Sequence, residues 1–352
     1  MKMISTAIAA ALTAVTLTAA VQDAAAQTPT RWRMHSAYNK TLPVAGATAF
    51  NIAESVKLVS DGKFDIKVFE PGAIVAGAQY YDAVSKGAIN AAYGSPGFNA
   101  GKNSAYAFFA AVPFGPGAGE MLAWLYQGGG LELAREIYAK DNLYMMPCGL
   151  LPPESAGWFR KELKSLDDLK GLKMRFFGLG AKVMEKFGVS TQLLAPGEVY
   201  QALERGTIDA AEQSVPEIDR GLGFYRVAKF NYFPGWHQQS TVQELLINLD
   251  SWKALSAGQR KMLELACKEA TVAQFADGEA GQFEVMKKNE ADGVKTLTLP
   301  DEFLKAFRTQ WDTVIAAETA ANPDSKRVWE SLSAFRKNYA VWGERAYLKS
   351  VK

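Results

Sequence analysis

Arg175 and Glu212 are the two side chains of this 352-residue chain whose positions most directly suggest chemistry. Arg175 closes the strand-like run Leu172-Lys173-Met174-Arg175, just before Phe176-Phe177-Gly178-Leu179-Gly180 opens a helix expected over 181–187. A guanidinium beside free N–H groups at a helix start receives a carboxylate well, because the fork geometry and the helix dipole both favour a planar anion. The alternative is that Arg175 pairs with a neighbouring Asp or Glu. Glu212 ends a second strand-like run, and open α/β sheets bind ligands at the carboxyl ends of their strands. A lone carboxylate there would repel an anionic ligand, so its presence makes sense if a metal cation joins the two.

Other chemistries find little support. The two histidines, His35 and His237, are far apart and lack the spacing of zinc or iron ligands. No nucleophile elbow or phosphate-binding loop occurs, and Gly178-Leu179-Gly180 fails as a dinucleotide fingerprint because Val183 takes the third glycine position. An enzyme is therefore not expected. Cys148, in an apolar strand-like run, and Cys267, on an apolar helix stripe, read as buried free thiols, although an exported protein could pair them.

The elements that must position Arg175 and Glu212 are announced by a repeated pattern. The stretch from Val84 to Tyr93 matches that from Leu203 to Glu212: Lys86-Gly87 against Arg205-Gly206, Ile89 against Ile208, Ala91-Ala92 against Ala210-Ala211, Tyr93 against Glu212. In each copy a cation and a glycine close an amphipathic helix and an apolar run begins a buried strand. Pro71-Gly72 and Pro196-Gly197 are expected to form the preceding turns. Around these copies strands and helices alternate: a strand from Trp32, a helix ended by Gly62, a strand over Phe64, Ile66 and Val68, and a helix from Glu120 to Lys140 interrupted at Gly128-Gly129-Gly130. Trp158-Phe159 and 172–176 add strands, with a capping-box start at Ser165 to Asp168 between them. From about Ser251 onward the pattern is almost wholly helical. The fold class is α/β, two doubly wound lobes followed by a helical C-terminal tail.

Composition fits. Hydrophobic residues make up 48% and charged residues 22% of the chain, as in a packed globular protein, and the length suits two domains. A net charge of +2 gives no basic excess for nucleic acid. Lys2, an alanine-rich apolar stretch to Val21 and Ala24-Ala25-Ala26 read as a signal peptide over 1–26, cleaved after Ala26, which places the mature chain in the periplasm.

Several segments together resemble a known family: Gly171 to Arg175, Gly178 to Gly180, Tyr200 to Glu212, Gly221 to Lys229, Tyr232-Phe233-Pro234-Gly235-Trp236-His237, Ala107 to Gly115, Gly157 to Glu162 and Leu245 to Asn248. The chain resembles the substrate-binding proteins of tripartite ATP-independent periplasmic (TRAP) transporters, most of all the branch that binds 2-oxo acids and related monocarboxylates. The resemblance implies a periplasmic binding protein fold with a ligand cleft between two lobes. Lobe I would comprise 28–150 with about 240–285, lobe II 151–239 with about 286–320, and 321–352 a C-terminal helix that could be exchanged in a homodimer. It implies that Arg175 grips a small carboxylate, a 2-oxo or 2-hydroxy acid, and that a bridging Na⁺ or Ca²⁺ is held by Glu212, the main-chain carbonyl of Gln213 and Glu154. Hard oxygen donors suit such ions. It also implies delivery to membrane permease subunits, without catalysis; a periplasmic sensor or scaffold using the same cleft is the alternative.

The chain departs from that branch at Glu154, where Gln is usual, and at Gln238, where an acid is usual, so Gln238 joins the expected metal set with charge redistributed rather than lost. Phe98 stands for a tyrosine, Phe177 for a small residue or proline, and Gln213 for an aromatic. Phe177 should narrow the pocket, whereas Gln213 should open it and add an amide. The aromatic group Phe230, Tyr232, Phe233 and Trp236 reads as core packing, with Trp236 also a candidate cleft wall, and His237 as a hydrogen-bonded structural residue.

Overall fold

The computed structural model describes residues 29–347. The expected signal peptide and residues 348–352 of the tail lie outside the described residues.

Two sheets organise the chain. The first has the strand order Phe64–Phe69, Thr30–Ser36, Ala91–Gly94, Thr241–Asn248, Leu143–Leu151. Its first three strands are parallel, and Thr241–Asn248 is antiparallel to both neighbours. The second has the order Lys295–Thr298, Phe230–Phe233, Gly157–Phe159, Ala210–Ala211, Lys173–Arg175, Ser190–Gln192. One hydrophobic cluster runs through both sheets, from Met34 and Tyr93 to Met174 and Tyr232, and a second, smaller one packs Trp158 and Ala211 of the second sheet against Val199, Leu203 and Phe224.

The chain passes directly between the sheets twice. It leaves the first after Leu151, runs through 152–156 and enters the second at Gly157; it leaves the second after Phe233 and re-enters the first at Thr241. These two segments lie side by side: the Glu154 N–H donates to the Gln238 carbonyl at 3.2 Å and the Gly235 N–H to the Glu154 carbonyl at 2.9 Å. Gly235 is required by that approach, since a Cβ there would fall on the Glu154 carbonyl oxygen.

Both repeat copies take the expected form, one in each sheet. Helix Tyr81–Ser85, Gly87 at φ 72° and strand Ala91–Gly94 make the first; helix Pro196–Glu204, Gly206 at φ 70° and strand Ala210–Ala211 make the second. The preceding Pro-Gly pairs differ from expectation. Pro71-Gly72 is a turn with Gly72 at φ 86°, but Pro196 is the first residue of its helix, where its fixed φ and missing N–H cost nothing.

Three further expectations need correction. The region beyond Ser251 is not wholly helical, because Lys295–Thr298 forms an edge strand parallel to Phe230–Phe233. The helix after Arg175 spans Gly178–Glu185, starting three residues early. Cys148 and Cys267 are buried as expected but form a disulfide, because helix Ala257–Ala280 packs on strand Leu143–Leu151 and brings their Cα atoms to 4.2 Å. The C-terminal helix Pro323–Ala346 packs on its own chain through Val328 and Leu332, Ser325 to Ser104 at 2.9 Å, and the forked pair of Arg327 with Glu136. Its last turns expose Val341 and Trp342.

Candidate binding site between the sheets

Arg175 ends its strand 1% exposed. Strand Lys173–Arg175 runs parallel to Ala210–Ala211, in register Arg175 to Ala211, so the residue after each strand reaches the same edge. There the Glu212 N–H donates to the Arg175 carbonyl at 3.0 Å, while Arg175 Nη1 donates to the Glu212 main-chain carbonyl and, at 3.1 Å, to Glu212 Oε2. The Phe177 N–H also donates to Oε2, at 3.0 Å, so this N–H near the helix start serves Glu212 instead of standing free. Both readings of Arg175 thus meet in one residue: its acidic partner is Glu212. The recorded contacts of the guanidinium use Nη1 and Nε, the latter to Leu194 O at 3.4 Å, out of the five N–H groups that it carries.

The crossing segments supply the rest. Glu154 Oε1 accepts from Gln238 Nε2 at 3.1 Å and from Thr241 Oγ1 at 3.0 Å, and Gln238 Nε2 also reaches Thr241 Oγ1 at 2.6 Å. His237 Nε2 lies 3.1 Å from Glu212 Oε1, close enough for charge attraction but out of line for a hydrogen bond. Burial raises the Glu212 carboxyl, but His237, Arg175 and the Phe177 N–H outweigh it and hold it below the usual range, so Glu212 is charged. Burial, with the nearby Glu212 charge, pushes Glu154 well up. Asp219, which accepts from Trp158 Nε1 at 2.7 Å, is also pushed up by burial, to about 8.

Six side-chain oxygens around this point are buried without a hydrogen-bond partner: Glu154 Oε2, Glu212 Oε1, Gln213 Oε1, Ser214 Oγ, Asp219 Oδ1 and Gln238 Oε1. Orphaned buried acceptors are costly and rare, and a cluster of them is what a hard cation needs. Glu154, Glu212 and His237 each offer a ligand atom within 4.8 Å of the others. Burial favours the protonated forms of Glu154 and Asp219 beside the single Glu212–Arg175 pair, and a cation placed among these oxygens would draw them toward the charged, ligating form. The donor set therefore fits a Na⁺ or Ca²⁺ ion.

An inner cavity of about 30 Å³, enough for about two waters, is lined among others by Arg175, Glu154, Gln213, Gln238, Phe98 and Phe177, whereas Glu212, bonded to Arg175, is not in that lining. Phe98 and Phe177 meet edge to face across the two sheets, ring centres 5.4 Å apart, and the Phe177 ring lies so close to Gly97 that a Cβ there would overlap it. Trp236 is not part of this lining. It is 3% exposed and packs among Phe114, Phe176 and Phe307, because its segment turns the indole away from the cleft. Tyr38, Ser95, Ser214, Thr241 and Gln243 also line the cavity and carry no motif of their own. Asp219 was equally silent in the sequence, one of two acids in the run Val215-Pro216-Glu217-Ile218-Asp219 with no motif to mark it.

Two α/β sheets meeting over a buried, charged, water-sized cavity define a solute-binding protein. Residues 35–321 match the family described as bacterial extracellular solute-binding protein, family 7, and the chain belongs to that family. A relative from Nostoc sp. named monocarboxylate 2-oxoacid-binding periplasmic protein is 37% identical over 312 residues, 89% of this chain and 85% of that protein. A TRAP transporter solute-binding protein from Bordetella bronchiseptica, described as a mixed-occupancy dimer with copurified calcium and picolinate in one site, superposes with a TM-score of 0.88. It is 36% identical, covering 90% of this chain and 94% of that one. A TRAP periplasmic solute-binding protein from Pseudoalteromonas atlantica, with bound sodium and pyruvate, is 30% identical with a TM-score of 0.83, over 92% and 99%. Among the described residues no helix is long and apolar enough to cross a membrane.

Proposed function

We propose that this protein is the periplasmic solute-binding component of a TRAP transporter, capturing a small 2-oxo or 2-hydroxy carboxylate and delivering it to the membrane permease. The observation that carries the reading is the set of orphaned oxygens beside a buried arginine in one small cavity. Arg175 offers its remaining N–H groups to the ligand carboxylate, with Glu212 fixing the plane of the guanidinium. Glu212, Gln213, Glu154 and Gln238 are the residues that would hold the cation, which supplies positive charge to the carboxylate and the adjacent oxygen. Phe98 and Phe177 exclude water and limit size. Membership of a solute-binding family supports a protein that carries its ligand without transforming it.

The lobes assigned to the sheets are 28–150 with about 240–285, and 151–239 with about 286–320, joined through the segments that hold Glu154 and Gln238. A homodimer formed by exchanging the C-terminal helix would use between copies the contacts of Ser325, Arg327 and Val328 made here within one chain; equilibrium sedimentation with and without residues 323–352 checks it.

Isothermal titration of the mature protein with pyruvate, before and after chelation and dialysis against K⁺ buffer, tests the reading. Binding should weaken at least tenfold on chelation and return with Ca²⁺ or Na⁺. Binding indifferent to all cations would remove the ion from the site.

A further inference from the structure

The inner cavity is not the only space between the sheets. An outer cavity of about 470 Å³ lies at the cleft mouth, bordered by both Pro-Gly pairs, Pro71-Gly72 on one side and Pro196-Gly197 on the other. Two residues line both cavities, Tyr38 and Leu42. Tyr38 is fixed, its hydroxyl donating to Gln243 Oε1 at 2.6 Å. Leu42 has no polar anchor on its side chain and is half-buried.

The loop that carries Leu42 is built to hold it in place. The Leu42 N–H donates to the Asn39 carbonyl at 3.0 Å and its own carbonyl accepts from the Gly46 N–H at 2.9 Å. The backbone wraps Gly46 so closely that a Cβ there would overlap three carbonyl oxygens, those of Asn39, Lys40 and Leu42. Pro43, next to Leu42, rests on Gly221 in the helix Pro216–Gly221, whose own Cβ would overlap the proline ring. The loop thus bears on the opposite half of the molecule, and Leu42 stands where the inner cavity would otherwise run into the outer one.

We infer that Leu42 is the partition that sets ligand length: it closes the apolar end of the inner cavity and confines the site to acids of about pyruvate size, while a space large enough for a longer tail lies behind it. This rests on the carboxylate reading of the site, and adds the residue that selects among carboxylates. A methylene that a pocket cannot place, or a pocket left unfilled, discriminates by about tenfold or more.

The experiment measures Kd by titration calorimetry for unbranched 2-oxo acids of three to six carbons, with saturating Ca²⁺, on the wild type, L42A, L42V and L151A. Leu151 lines the inner cavity but not the outer one, so L151A enlarges the first without joining them. The readout is the ratio of Kd for the six-carbon acid to that for the three-carbon acid, which a general loss of affinity leaves unmoved. In the wild type this ratio should be large. In L42A it should fall at least about tenfold, with L42V between, and L151A should not reproduce the fall. An L42A ratio equal to the wild type's, or an equal fall in L151A, overturns the partition while leaving the carboxylate site standing. A wild type that binds none of the acids overturns both.

Discussion

The two copies of the repeat end in the same place on two different sheets and do opposite things there. Tyr93 closes the first copy completely buried, its hydroxyl accepting from Gln274 Nε2 at 2.9 Å. Glu212 closes the second, equally buried, and is met by Arg175, the Phe177 N–H and His237. The first sheet has a buried acid near the same level, Glu244, opposite Gly94 in register. Its partners are neutral, Tyr138 at 2.9 Å and Asn99 at 3.3 Å, and burial pushes it up to about 8, so it is largely protonated at neutral pH. Equal burial therefore leaves one acid neutral and the other charged, and the difference is the guanidinium and imidazole beside Glu212. A helix, a glycine and a strand place a side chain; only its partners make it a binding group.

Removing the charge of Glu212 should have the largest effect. In E212Q the shape remains, and both cation and carboxylate binding should fall at least about a hundredfold, a change of about 3 kcal/mol, read by calorimetry in Ca²⁺. R175K comes next: it keeps the charge that Glu212 needs but loses the flat fork, so 2-oxo acid affinity should drop about tenfold to a hundredfold while the melting temperature changes little. Affinity unchanged in R175K would mean the ligand carboxylate does not sit on the guanidinium.

Glu244 should show itself in stability rather than binding. Its folded pKa is raised from the ordinary value of 4.5 to about 8, so its contribution is fully present below about pH 4.5 and is lost as pH rises toward 8. E244Q should lack that loss. Relative to E244Q, the wild type should weaken between pH 5 and pH 8 by an amount on the order of a few kcal/mol in denaturant melts; parallel pH profiles would show that Glu244 ionises freely. Y93F should be the mildest, costing about 1 kcal/mol for a lost buried hydrogen bond and shifting ligand affinity less than about threefold. A strong binding defect in Y93F would erase the contrast between the copies.

Arg175, Glu212 and the two-sheet plan were legible in the sequence because they depend on local grammar: strand, glycine, helix and the residue that follows. Glu154 and Gln238 came from family likeness, since their crossing segments have no periodicity to read. What escaped was set by contacts between distant segments. The Cys148 and Cys267 pair follows from one helix lying on one strand. Strand Lys295–Thr298 is short, half-exposed and hidden between helices, though Val294, Thr296 and Thr298 alternate. Trp236 packs inward because Phe307, about seventy residues later, arrives to meet it. Leu42 gains its position from a loop folded around Gly46, a feature with no sequence pattern beyond its glycine.

Glu154 and Gln238 ride on the strips of chain that link the halves, whereas Arg175 and Glu212 belong to one half alone. A swing of the halves would bend those strips and so shift Glu154 and Gln238 against Arg175 and Glu212. Grip and shape would then be one mechanical variable, because opening the molecule would by itself loosen the set of oxygens proposed to hold the ion.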